Sequence, residues 1–310
     1  MTLPFPLSTV AHQLRRHPVF YGMALACVLG YQGVKYYGEW GAQQLEYNEE
    51  SLPAEVLPGS GALRIGFFSD LHNDLGLFEK SVAYFEKVRP DLIVIGGDFI
   101  IVNERFMRTR WAVDGLKRLT AVAPCFAVLG NQDYEKLEQV ERVYATAGVR
   151  LLRNEAINWQ TPDGTTLRIV GLGDWNEGDE EPGRCMKPAG QESQPVLLLS
   201  HDPESRHLLM DYDWDLMLSG HAHGGQLGNP FTGEYISFRT AMPSGLYEEQ
   251  GHRHVYVTRG VGSIMRMRFF CPPEVHLLRI CASSAAAGET SSAGEPQGKE
   301  TASPTTQAAE

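Results

Sequence analysis

The sequence is poor in several features that mark well-known protein classes. Of its 310 residues only five are cysteines (Cys27, Cys125, Cys185, Cys271 and Cys281), with no CxxC pair and no regular spacing. A disulfide framework or a zinc knuckle is therefore not indicated. Positive charge is also scarce. There are 27 Lys and Arg against 38 Asp and Glu, giving a net charge of -11. Such a balance argues against a nucleic-acid partner. No internal repeat is present, and long apolar runs are missing with one exception near the N-terminus.

That exception runs from Val19 to Val34, behind Arg15, Arg16 and His17. As a helix it would span roughly 24 Å, short of the ~30 Å hydrocarbon core of a bilayer. Tyr36, Tyr37 and Trp40 follow it, as an interfacial aromatic belt would, and Lys35 is placed to snorkel. Residues 1–45 read as a membrane anchor, with an export signal or a soluble amphipathic helix as alternatives. The two arginines favour a cytoplasmic N-terminus. Residues 46–62 read as a polar linker and 281–310 as a disordered tail of Ala, Ser, Gly, Thr, Pro and Glu.

What remains, 63–280, is rich in hydrophobic residues, which make up 43% of the chain, enough for a substantial core. Short apolar runs recur at Leu63–Phe68, Leu92–Ile95, Cys125–Leu129, Leu167–Val170, Val196–Leu199, Leu216–Leu218, Val255–Thr258 and Val275–Ile280. Each has the length of a buried strand. Helical patterns lie between several of them, at Phe78–Val88, Trp111–Leu119 and Leu137–Ala147. Alternating strands and helices predict a layered α/β domain.

Metal-ligating residue types follow these strands directly. The runs end in Asp70-Leu71-His72, Gly97-Asp98, Gly130-Asn131-Gln132-Asp133, Ser200-His201-Asp202 and Gly220-His221-Ala222-His223-Gly224-Gly225. Ligand sites in α/β sheets collect at the carboxyl ends of strands. Carboxylates suit hard divalent cations and imidazole suits zinc, iron or manganese. Two such ions ~3.5–4 Å apart clamp a phosphoryl group and activate water.

This ordered set resembles the calcineurin-like metallophosphoesterase superfamily, whose pattern is D-x-H, G-D, G-N-H-[DE], a lone His and G-H-x-H. The resemblance spans Leu63 to Ile280. Within the superfamily the chain looks like the YaeI/YkuE-like branch of membrane-associated bacterial phosphodiesterases. The residues that carry this are His221-Ala222-His223-Gly224-Gly225-Gln226, Ser244-Gly245-Leu246-Tyr247, Tyr256 to Gly262, and Cys271-Pro272-Pro273-Glu274. An LpxG-type pyrophosphatase of lipid A synthesis is related to that branch.

The resemblance implies a four-layer α/β/β/α sandwich behind the N-terminal membrane-anchor helix. It implies two divalent metal ions (Mn, Fe or Zn) and hydrolysis of a phosphodiester or pyrophosphate by a hydroxide held between them. A lipid-linked substrate at the bacterial inner membrane is the implied partner. By position, Asp70, His72 and His223 would hold one metal, Asn131, His201 and His221 the other, and Asp98 would bridge. Asn131, Gln132 and His201 would also take part in catalysis.

One departure stands out, because the family has His where this chain has Gln132. Gln donates a hydrogen bond but is no general acid near neutral pH. An anhydride, with its better leaving group, needs that proton less than an alkyl phosphate does. A metal-binding sensor with weakened catalysis and a phosphoprotein phosphatase are the rival readings. Arg105 and Arg108 are candidate phosphate contacts, since guanidinium forks match phosphate oxygens, with a solvated helix start as the alternative. The run Arg266 to Phe270 is either a lipid contact or ordinary packing. His252, His254 and His276 read as structural.

Overall fold

A strand of four consecutive buried aliphatics, Leu92–Ile95, can only lie at the centre of a sheet covered on both faces, and that is where it lies. The computed structural model describes residues 18–99, 109–238 and 240–281. Arg105, Arg108, Arg15, Arg16 and the tail from 282 onward lie outside the described residues.

The chain enters through α1 (Pro18–Gly41), then β1 (Glu46–Leu52), β2 (Leu63–Phe68), α2 (Leu75–Val88), β3 (Leu92–Ile95), α3 (Arg110–Val122), β4 (Cys125–Ala127), α4 (Leu137–Ala147) and β5 (Arg150–Leu151). It continues through β6 (Glu155–Gln160), β7 (Thr166–Gly171), the single turn α5 (Pro182–Cys185), β8 (Val196–Leu199), β9 (Leu216–Ser219), β10 (Gly245–Glu249), β11 (Arg253–Val257) and β12 (Glu274–Ile280). Two six-stranded sheets result, ordered β1-β12-β2-β3-β4-β5 and β10-β11-β9-β8-β7-β6. Strands β2, β3, β4 and β5 run parallel to one another, as do β7, β8, β9 and β11, while β12, β6 and β10 pair antiparallel with β2, β7 and β11.

Three helices cover the outer face of the first sheet. Asp74 caps α2 by accepting from the Leu77 N–H at 3.1 Å, a capping role that typically contributes about 1 kcal/mol. α2 then buries Leu77, Phe78, Ser81, Val82 and Phe85, one face at helical spacing. α3 adds Ala112, Leu116 and Leu119, and α4 adds Val140, Val143, Tyr144 and Ala147. A second core, including Ile65, Phe67, Val94, Phe126, Ile169, Leu197 and Leu218, fills the space between the sheets. A third, with Val170, Leu198, Met217, Val255, Leu209 and Trp214, lies on the far face of the second sheet. The four-layer α/β architecture is thus present, with short helical turns and loops as its fourth layer.

The boundary at residue 62 needs correction. Glu46–Leu52, expected in a linker, forms an edge strand parallel to β12, in register from Glu46 opposite Glu274 to Leu52 opposite Ile280. Its side chains are mostly exposed, so its sequence EYNEESL lacks the apolar alternation of a half-buried strand. Backbone pairing to β12 holds it there.

The N-terminal helix α1 is present. Val19, Phe20, Met23, Leu25, Val28, Leu29, Tyr31 and Val34 are all exposed on it. No described helix is long and apolar enough to cross a membrane.

Candidate metal centre

Strands β2, β3 and β4 run parallel, as do β7, β8 and β9, and the loops at their carboxyl ends come together. Backbone hydrogen bonds lock them together. Asp70 N–H donates to the Gly97 carbonyl at 2.9 Å, and Gly220 N–H to the His201 carbonyl at 2.9 Å. Gly97 has φ of 93°, and a Cβ there would lie 2.5 Å from the Gly130 nitrogen and 2.8 Å from His201 Nδ1. Only glycine allows these three loops to approach so closely.

The side chains then converge. One carboxylate oxygen of Asp70 lies 3.8 Å from His72 Nε2, 3.3 Å from His223 Nε2 and 3.9 Å from His201 Nε2. Asp98 Oδ2 lies 3.6 Å from His72 Nε2 and 3.5 Å from His201 Nε2. Ligand atoms of Asp70, His72 and His223 all fall within 4.8 Å of one another, and so do those of Asp70, Asp98 and His201. Two carboxylates therefore stand between two imidazole groups. Asp70, His72 and His223, the residues implied for the first metal, lie together. In the second group Asp70 stands beside Asp98 and His201, so both aspartates occupy the space between the groups.

His221 and Asn131 flank the second group. The His221 ring lies 5.3 Å from that of His201, and the His221 backbone N–H donates to the Asp70 carboxylate, 3.1 and 3.2 Å from its two oxygens. Asn131 follows Gly130, whose N–H donates to Asp133 at 3.0 Å. Asp133 braces this loop. Gln132 uses its N–H to hold Asp98 Oδ1 at 2.8 Å, and its side chain is half-buried.

Backbone strain is concentrated here. Asp70, His72, Asp98, His221 and His223 all have positive φ, between 45° and 62°. Left-handed non-glycine residues cost on the order of 1 kcal/mol each and persist where surrounding structure over-determines them.

The electrostatics require positive charge. Asp70 and Asp98 are buried at 0% and 3% exposure. Burial opposes ionisation of Asp98, but His201, His72 and the Gln132 N–H outweigh it and hold its carboxyl below the ordinary range. Burial opposes protonation of His201, yet Asp98 and Asp70 push it well above the ordinary histidine value. His72 is lowered by burial despite the same carboxylates. His223 is pushed well down by burial, then by His72 and Arg268.

These residues fit a cation pair. The Gly96 carbonyl accepts from His201 Nδ1 at 2.7 Å, so Nε2 faces the aspartates, and it makes no hydrogen bond among the described residues. The Asn131 side-chain oxygen is likewise buried without a partner among them. Two imidazole nitrogens, His72 Nε2 and His223 Nε2, face each other at 3.1 Å. Orphaned acceptors around buried carboxylates are what divalent ions would satisfy.

Comparison with known proteins decides the family. The model of the calcineurin-like phosphoesterase family matches residues 63–225. The chain belongs to the calcineurin-like metallophosphoesterases. It is 35% identical over 234 residues to the phosphodiesterase YaeI of Escherichia coli (strain K12), covering 70% of this chain and 82% of that protein. It is 28% identical over 246 residues to the metallophosphoesterase YkuE of Bacillus subtilis (strain 168), covering 76% and 85%. It is also 28% identical over 276 residues to the UDP-2,3-diacylglucosamine pyrophosphatase LpxG of Chlamydia muridarum, covering 70% and 83%. The family uses two divalent metals, and this metallophosphoesterase is a metal-dependent phosphoric ester hydrolase.

Sequence reasoning missed two supporting residues of the metallophosphoesterase site. Asp202 Oδ2 lies 3.5 Å from His221 Nε2 and is held by Asn176 Nδ2 at 2.8 Å. A carboxylate behind a ligating imidazole fixes its tautomer. Its position directly after His201 was the only signal. Arg268, one of the residues read as a lipid contact or as ordinary packing, is 1% exposed and packs behind His223.

Proposed function

We propose that this metallophosphoesterase hydrolyses a phosphodiester or a pyrophosphate whose leaving side is lipid-linked. The observation that carries the hydrolytic part is the meeting of Asp70, His72 and His223 with Asp98 and His201 in one buried cluster. Asp70, His72 and His223 would hold one divalent ion, and His201, His221 and Asn131 the other, with Asp98 and Asp70 between them. When bound, the ions supply Lewis-acid polarisation of a phosphoryl group and a water of lowered pKa. The chain's own residues hold the geometry. Gly96 fixes the His201 tautomer, the Gln132 N–H orients Asp98, and Asp202 faces His221.

Two further observations support a lipid-linked substrate. YaeI is named a phosphodiesterase and LpxG a pyrophosphatase of a diacylated sugar nucleotide. The end of α1 packs against the loop of Phe269 and Phe270, and further apolar side chains are exposed on the loops that follow β9 and β11. Tyr37 lies 5.5 Å from the Phe270 ring, and Phe231, Phe238, Ile264 and Met265 are exposed by 65% or more. A helix apolar on all sides calls for an apolar surrounding. We read α1 as attaching the protein to a bacterial inner membrane, as a single-pass or a peripheral segment.

The test is hydrolysis of bis-(p-nitrophenyl) phosphate with added Mn²⁺, beside UDP-2,3-diacylglucosamine. Activity surviving in the double variant Asp98→Ala, His221→Ala would refute the hydrolytic reading. Turnover of the model diester without any turnover of diacylated sugar nucleotides or other lipid-linked phosphates would remove the lipid.

A further inference from the structure

Residues His223, Gly224, Gly225 and Gln226 are four consecutive positions with φ between 52° and 65°. L-residues visit this region as single positions, and a run of them needs external support. His223, which presents its ring to Asp70, opens the run.

Gly224 N–H donates to the Pro243 carbonyl at 3.2 Å, and the two ends of the run are held by one segment, 267–271. Arg268 is fully buried, and among the described residues its guanidinium pairs with backbone carbonyls rather than with a carboxylate. Its Nη2 donates to the Arg259 and Gly262 carbonyls, each at 2.7 Å, and lies 3.3 Å from His223 Nδ1. Its Nη1 donates to the His223 carbonyl at 3.3 Å. Cys271 Sγ faces the His223 carbonyl at 3.4 Å, and Gln226 Nε2 donates to the Met267 carbonyl at 3.0 Å.

The other carbonyls that Arg268 gathers belong to the backing of Asp70. Gly262 N–H donates to the Asp70 carbonyl at 2.7 Å. Gly260 approaches so closely that a Cβ there would lie 2.7 Å from Asp70 Cβ. Five N–H donors in a rigid plane let one side chain span these segments, which a lysine ammonium cannot do.

We propose that Arg268 is a positioning residue for the metal group of Asp70, His72 and His223, clamping the left-handed turn of His223 onto the loop that backs Asp70. This rests on the reading of His223 as a ligand. The same segment also carries the end of α1, since Arg268 N–H donates to the Gly38 carbonyl at 2.9 Å.

The experiment is calorimetric titration of metal-free, full-length protein with Mn²⁺, followed by electron paramagnetic resonance. The wild type is compared with Arg268→Ala, Arg268→Lys, His223→Ala and His201→Ala. The two histidine variants identify which binding step belongs to which group. Loss of an outer-shell partner typically weakens metal affinity by ~10–100-fold. Arg268→Ala should show that loss in the step that His223→Ala removes, with the step lost in His201→Ala unchanged. Arg268→Lys keeps the charge and should recover only part of it. Equal weakening of both steps, or full recovery by lysine, overturns the positioning role. If His223→Ala leaves both steps intact, the ligand assignment itself falls and takes this inference with it. Should Arg268→Ala fail to fold, the lysine variant decides alone by the same comparison.

Discussion

His201 donates its Nδ1 proton to the Gly96 carbonyl at 2.7 Å, which turns Nε2 toward Asp98 Oδ2 at 3.5 Å. A carbonyl only accepts, so this contact alone sets the ring's tautomer. Replacing His201 with Ala removes a nitrogen donor and leaves two buried carboxylates facing one another. We expect the variant to purify with less metal and to lose more than the ~10–100-fold that an outer partner is worth. Elemental analysis together with the bis-(p-nitrophenyl) phosphate rate checks this. A full metal complement at normal rate contradicts it.

Gln132 contributes its backbone N–H to Asp98 but brings no titratable group. Restoring a general acid with Gln132→His should raise turnover of a diester with a poor alkyl leaving group by up to ~10²–10⁴-fold. The p-nitrophenyl diester, which needs no proton on departure, should change little. A large gain on both substrates would instead favour a decayed, sensor-like site, and the ratio of the two rates is the measurement.

A network of buried His276, Glu274 and Tyr256 with half-exposed Glu50 joins β1, β11 and β12. His276 Nε2 lies 3.2 Å from Glu274 Oε1. Burial opposes its protonation, but Glu274 and Glu50 raise its pKa to about 9. The folded value exceeds the ordinary 6.5, so the stabilisation is complete below about pH 6.5 and lost as pH rises through about 9. Linkage puts its size at roughly 3 kcal/mol. Glu274 works in the opposite sense. Burial is outweighed by His276 and Arg259, its pKa falls to about 2, and its contribution disappears as pH drops from about 4.5 through 2. Urea denaturation of the wild type and His276→Gln should differ clearly at pH 6 and converge near pH 10. Parallel curves across that range would rule the network out.

α1 exposes an apolar surface along its length. Full-length protein should co-sediment with anionic lipid vesicles, and Leu25→Asp with Val28→Asp should reduce the bound fraction several-fold. Hydrolysis of the soluble diester should stay within about twofold, because neither residue is near the site. Unchanged sedimentation would separate α1 from membrane contact.

The strand-end motifs were legible because each ligand type follows an apolar run that only a buried strand explains, and β2, β3, β8 and β9 lie where those runs are. The helices covering the first sheet were legible from their period. β1 was not. Its partner β12 lies far along the chain, and its exposed, polar side chains carry no sign of the backbone ladder that holds it. Arg268 was misleading for a related reason. Between Met267 and Phe269 it reads as a basic residue on an apolar surface, and only the folded chain shows carbonyls collecting around it. The pairing of Asp202 with His221 is likewise a contact between loops that no local spacing encodes.

The left-handed backbone at Asp70, His72, Asp98, His221 and His223 has an evolutionary side. At these positions folding alone would select glycine, and chemistry alone selects against it. A lineage released from the need for hydrolysis should therefore drift there first, toward glycine and asparagine, and become hardier as it does so.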